Sequence, residues 1–89
     1  MFPDNVMKEE DFRKILKKNA LKATPQRLAV FRAMCNMGHA SADQVCEYIE
    51  KEGEVKITVA SVYNILTDFS ELGIYKNRLS ANNKMIFDI

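Results

Sequence analysis

The sequence predicts a mostly helical α+β domain, four helical segments followed by a two-stranded antiparallel hairpin. Three observations carry this prediction. Apolar residues recur at helical spacing in successive stretches between residues 7 and 72. Gly38, Gly53 and Gly73 stand where three of these stripes stop. After Gly73 the pattern shortens to two strand-like runs around a loop of Ser, Ala and two Asn.

The first helix is expected over residues 7–19, with Phe12, Ile15 and Leu16 on one face and Lys and Arg on the other. Thr24 can cap the second helix and Pro25 suits its first turn. Leu28, Phe31 and Cys35 form its inner stripe, widened by Val30, Met34 and Met37, and Gly38 ends it. Ser41 and Gln44 have the spacing of a capping box for a third helix, 41–52, whose buried stripe is Ala42, Val45, Cys46 and Ile49. Thr58 can cap a fourth helix, 58–72, with Val62, Ile65, Leu66, Phe69 and Leu72 inward and Gly73 beyond its end. Residues 74–79 and 84–89 are expected as strands, with residues 80–83 as the turn.

The 89 residues form one domain, 1–89, large enough for a small core. Apolar residues at 47% and charged residues at 28% exclude a disordered chain. No stretch approaches the roughly 20 apolar residues of a membrane span. Residues 1–11 lack the apolar run and cleavage site of a secretory signal, so the expected location is cytoplasmic. Cys35 and Cys46 stand at apolar helix positions without a C-x-x-C pairing, and are expected as buried thiols. One His, no Gly-rich phosphate loop and no paired carboxylates at a defensible spacing argue against an enzyme.

The net charge of +1 hides an uneven distribution. Residues 7–35 carry eight Lys and Arg against three Asp and Glu, and residues 39–54 carry one against five. Residues 74–89 carry three against one. A basic start, an acidic middle and a weakly basic end follow. A phosphate backbone feels local charge, over a Debye length of roughly 8 Å.

Three helices and a hairpin, preceded by an extra N-terminal helix, make a winged helix-turn-helix with a C-terminal two-stranded wing. Residues 41–52 would then be the positioning helix and 58–72 the recognition helix, entering the major groove by its N-terminal end. Ala60, Ser61, Tyr63 and Asn64 point away from the apolar face of that helix, behind the Thr58 cap. They are small or hydrogen-bonding, as contact with base edges demands. Asn64 can pair bidentately with adenine, Tyr63 can meet a thymine methyl or a phosphate, and the two hydroxyls can bond phosphates. Neither acid of the helix, Asp68 or Glu71, lies in its first two turns.

Specific strings sharpen this. Leu21-Lys22-Ala23-Thr24-Pro25-Gln26-Arg27, Gly38-His39-Ala40-Ser41-Ala42-Asp43, Ile57-Thr58-Val59-Ala60-Ser61-Val62-Tyr63-Asn64-Ile65-Leu66 and Glu71-Leu72-Gly73-Ile74 follow one another at fixed intervals. In order and spacing they resemble the motifs of the ferric uptake regulator family, over residues 12–89. The resemblance implies the N-terminal DNA-binding domain of a metal-dependent transcriptional repressor. Such a protein binds double-stranded DNA at A/T-rich inverted repeats as a homodimer. It implies that Lys22 reaches into the minor groove, that Arg27 contacts phosphate, and that Tyr63 and Asn64 enter the major groove. It also implies that His39 and Asp88 are ligands of a regulatory Fe²⁺ or Mn²⁺, completed by a further domain that often holds structural Zn²⁺. Asn64 and the run Phe87-Asp88-Ile89 resemble the peroxide-stress branch more than the iron-uptake branch.

The sequence ends at Ile89, where family members continue into a dimerisation domain, so a piece of a longer protein is expected. Such a piece should bind no metal tightly on its own. It would be monomeric, or pair artefactually through an open edge left by the last strand. The alternatives are a winged helix for protein interaction, or an iron-uptake or zinc-uptake regulator of the same family.

Overall fold

The computed structural model describes residues 7–89, and residues 1–6 of the expected domain lie outside the described residues. The chain runs α1 (Glu9–Lys18), α2 (Pro25–Met37), β1 (His39–Ala40), α3 (Ala42–Glu52), α4 (Val59–Glu71), β2 (Lys76–Leu79) and β3 (Met85–Asp88). The three strands form one antiparallel sheet in the order β1-β3-β2.

The helix ends follow their caps. The Thr24 side chain accepts the Arg27 N–H at the start of α2, with Pro25 at the first helical position. Ser41 and Gln44 form the reciprocal capping box of α3. Gly53 closes α3 in the left-handed conformation, at φ 71°. The Thr58 hydroxyl accepts the Ser61 N–H at the start of α4. Helix α1 is a residue or two shorter at each end than its periodicity implies, and it has no side-chain cap at its start.

The core is keyed by aromatic rings. Phe12 of α1 stacks on Phe31 of α2 at 4.1 Å between centroids and meets Phe69 of α4 edge-on at 5.0 Å. Phe69 in turn meets Tyr75 edge-on. Phe12, Leu16, Val30, Met34, Val45, Val62, Leu66, Phe69 and Phe87 are all essentially inaccessible. Phe87 is the fully buried residue of β3, with Met85 packed against the core beside it. Leu28, Cys35, Met37, Ile65 and Leu72 are only partly buried at its margin, and Ile15 is likewise half-buried. Cys46 is buried, whereas Cys35 is half-buried.

The sheet departs from the expected hairpin in three ways. A third strand, β1, is present, only two residues long. The strand running towards Ile89 is therefore central, and the edges are β1 and β2, the four residues of β2 all being exposed. Finally, β2 begins at Lys76 rather than at residue 74. The Ile74 N–H is spent on the Phe69 carbonyl and the Gly73 N–H on that of Ser70, a Schellman closure of α4 with Gly73 at φ 82°. The turn is tied by the Ser80 N–H to the Lys84 carbonyl at 2.7 Å, with Asn83 at φ 59°, a conformation Asn tolerates.

Candidate nucleic-acid interface

Helices α3 and α4 are joined by residues 53–58 and pack on each other, with Val45, Ile49, Val62 and Leu66 buried in the shared core. This packing turns the opposite face of the first two turns of α4 outward. Ala60, Tyr63 and Asn64 are exposed there, and Val59 is 43% exposed. Tyr63 is also 43% exposed, its ring resting edge-on against Phe87 at 6.1 Å. The wing thus braces the Tyr63 ring from behind and leaves its outer face accessible.

The hydroxyls of this helix start are partly committed. Thr58 donates to Ser61 Oγ at 3.0 Å while accepting the Ser61 N–H. Ser61 is half-buried and retains its own hydroxyl hydrogen. Both groups first serve the cap. The sequence pattern alone could not divide that duty from a phosphate contact.

A groove runs between α3, α4 and the wing. Asp43 lines one side, Val59, Ala60, Tyr63 and Asn64 another, and Lys84 and Met85 a third. Lys84 reaches Asp43 at 3.3 Å, so an ion pair crosses the groove from the wing to the first turn of α3. Sequence reasoning missed Val59, Asp43 and Lys84. The pairing of Lys84 with Asp43 spans 41 positions and leaves no local signal.

Lys22 is exposed in the loop between α1 and α2. Arg27, half-buried, donates from its guanidinium to the Lys22 carbonyl at 2.8 Å. Arg27 therefore shapes the loop that presents Lys22, with donors to spare. Gln26 holds the Lys56 carbonyl, tying α2 to the turn before α4.

His39 and Asp88 are brought together by β1. They face each other directly in the antiparallel register of β1 and β3, so their side chains share one face of the sheet. On that face an imidazole and a carboxylate suit a divalent first-row metal. Two donors make only part of a coordination shell, and no group of three or more His, Cys, Asp or Glu exists among the described residues. Asp88 also accepts from Arg78 Nε at 3.3 Å.

The profile of the ferric uptake regulator family matches residues 18–89. The chain belongs to the ferric uptake regulator family. The ferric uptake regulation protein of Haemophilus ducreyi is 32% identical over 84 residues, which are 90% of this chain and 56% of that protein. The peroxide operon regulator of Bacillus subtilis is 34% identical over 74 residues, 82% of this chain and 50% of that protein. The crystal structure of the Vibrio cholerae ferric uptake regulator superimposes with a TM-score of 0.78 at 28% identity, covering 89% of this chain and 61% of that one. The ferric uptake regulator from Pseudomonas aeruginosa with manganese gives 0.76 at 27%, covering 93% and 60%. The chain spans about half the length of the curated relatives it matches. Iron-uptake and peroxide regulators of this family stand at similar identity to it.

Proposed function

We propose that this chain is the DNA-binding part of a metal-dependent transcriptional repressor that reads A/T-rich inverted repeats. The observation that carries the reading is the outward N-terminal half of α4. It presents Ala60, Tyr63 and Asn64 together, beside a wing and without an acid in its first two turns. A helix presented in this way can enter a major groove. Asn64 then reads adenine through its amide, Tyr63 meets a thymine methyl, and Lys22, Thr24, Arg27, Thr58 and Ser61 line the phosphate and minor-groove contacts.

His39 and Asp88 supply two ligands of a regulatory Fe²⁺ or Mn²⁺, the others coming from outside this chain. Bound there, the metal would link the β1–β3 pair to whatever provides its remaining ligands. Dimerisation and any structural Zn²⁺ belong to the longer protein, as does its cytoplasmic setting. Asn64 and the Asp88 carboxylate favour a peroxide-responsive role over an iron-uptake role. The chain acts as a regulator and not as an enzyme. Among the described residues no helix is long and apolar enough to cross a membrane.

The test is a pair of variants. Asn64→Ala and Tyr63→Ala should keep the helical circular dichroism of the parent, since both side chains are exposed. Asn64→Ala should lose about 1–3 kcal/mol of discrimination between cognate and substituted A·T positions. Sequence preference unchanged in both variants would sink the proposal.

A further inference from the structure

The metal-ligand face of the sheet carries a feature that a ligand pair does not need. In the register of β2 and β3, Lys76 stands directly opposite Asp88, and Arg78 lies diagonally from it on the same face. Of the two cations, Arg78 makes the contact, with Nε donating to Asp88 Oδ2 at 3.3 Å. On the other side of β3, His39 stands opposite the same carboxylate. Asp88 is thus flanked by an imidazole-bearing residue on one strand and by a guanidinium on the other.

The pair is built to be exchangeable. The Arg78 side chain is 57% exposed and that of Asp88 31% exposed, so water screens their attraction. The guanidinium is always charged and cannot leave by losing a proton. It can leave only by moving. An ionised carboxylate has several lone-pair sites, but a divalent ion and a guanidinium on one carboxylate repel each other.

We propose that Arg78 is an internal competitor for the metal carboxylate: it holds Asp88 when no metal is bound, and a divalent ion takes Asp88 by displacing it. This rests on the reading of His39 and Asp88 as ligands. Arg78 thereby sets the threshold concentration of metal, and its guanidinium changes partner when that threshold is passed. The displaced side chain stays on β2, the exposed edge of the wing.

The experiment uses this chain with two probes, paramagnetic Mn²⁺ and diamagnetic Zn²⁺. Paramagnetic broadening of the His39 ring and Asp88 backbone NMR signals reads binding in the parent, in Arg78→Gln and in Lys76→Gln. Lys76→Gln removes the same charge from the same face without removing the ion pair. Arg78→Gln should lower the Mn²⁺ concentration for half-broadening by roughly two- to fivefold, the range an exposed ion pair commands. Lys76→Gln should lower it less. In the parent, diamagnetic Zn²⁺ should shift the Arg78 Nε–H resonance as the carboxylate is taken. Equal effects of the two variants, or an Arg78 resonance indifferent to Zn²⁺, would overturn the competition and leave the ligand reading standing. Two donors hold Mn²⁺ only weakly, so the titration runs to a large excess of the ion, and absence of selective broadening at His39 and Asp88 even there would overturn both.

Discussion

At the scale of single residues, the interface and the core make opposite demands on neighbouring positions of α4. Val62 and Leu66 are fully buried, while Tyr63 and Asn64 between them are exposed. Substitution in the two sets should therefore separate binding from folding. Phe12→Ala removes a ring that touches both Phe31 and Phe69, and it should cost about 3–5 kcal/mol in urea unfolding. A loss under 1 kcal/mol would mean that α1 is not part of the core. The cysteines offer a chemical check. Burial pushes the thiols of Cys35 and Cys46 up, with Glu9 and Glu50 respectively adding to the effect. Both should alkylate slowly at neutral pH, and Cys35 faster than Cys46 because it is only half-buried. Rapid alkylation of Cys46 in the folded protein would contradict its placement.

At the scale of elements, capping explains most boundaries, and one boundary is strained. Helix α1 ends in a Schellman closure, with the Leu21 N–H on the Leu16 carbonyl and the Ala20 N–H on that of Lys17. The residue at the left-handed position is Ala20, at φ 59°, where glycine is usual. A left-handed conformation costs an L-residue roughly 1–2 kcal/mol, part of which glycine returns through its looser unfolded chain. Ala20→Gly should therefore stabilise the domain by up to about 1 kcal/mol in denaturant unfolding, and destabilisation would contradict the observed closure. Helix α1 is also fastened to α2 by Glu9, which meets Arg32 at 2.9 Å. The Arg32 hydrogen bond, reinforced by Arg13, holds the Glu9 carboxyl below its ordinary value of 4.5. A carboxyl lowered on folding stabilises above its unfolded value, and that contribution fades as pH falls through the folded one. Unfolding midpoints followed from pH 6 to pH 3 should fall less steeply in Glu9→Gln than in the parent. The helix ends were legible because Thr24, Ser41, Gln44, Gly53 and Thr58 act through bonds three or four residues away. Strand β1 was not, since His39 and Ala40 are strand only through partners 47 to 49 positions on.

At the scale of the whole molecule, a nearly neutral chain displays its proposed recognition surface by topology. The core sets α4 against α3, β3 enters through Phe87, and Tyr63 is caught between wing and solvent. The outward residues of α4 could be read from periodicity, because burial of Val62 and Leu66 fixes which side remains. Their surroundings could not. The ion pair of Lys84 with Asp43, and the facing of His39 and Asp88 across the sheet, depend on tertiary register. Family motifs named His39 and Asp88 as partners, but only the β1–β3 pairing gives the reason they meet.

The proposed function requires that this chain by itself reads sequence through α4. The direct test is fluorescence anisotropy of the chain on an A/T-rich inverted repeat and on a shuffled duplex, across a series of salt concentrations. Tighter binding to the repeat, a log–log fall of affinity with salt, and loss of the preference in Asn64→Ala are expected. Equal binding to both duplexes at every salt concentration, unchanged by Asn64→Ala, would contradict it.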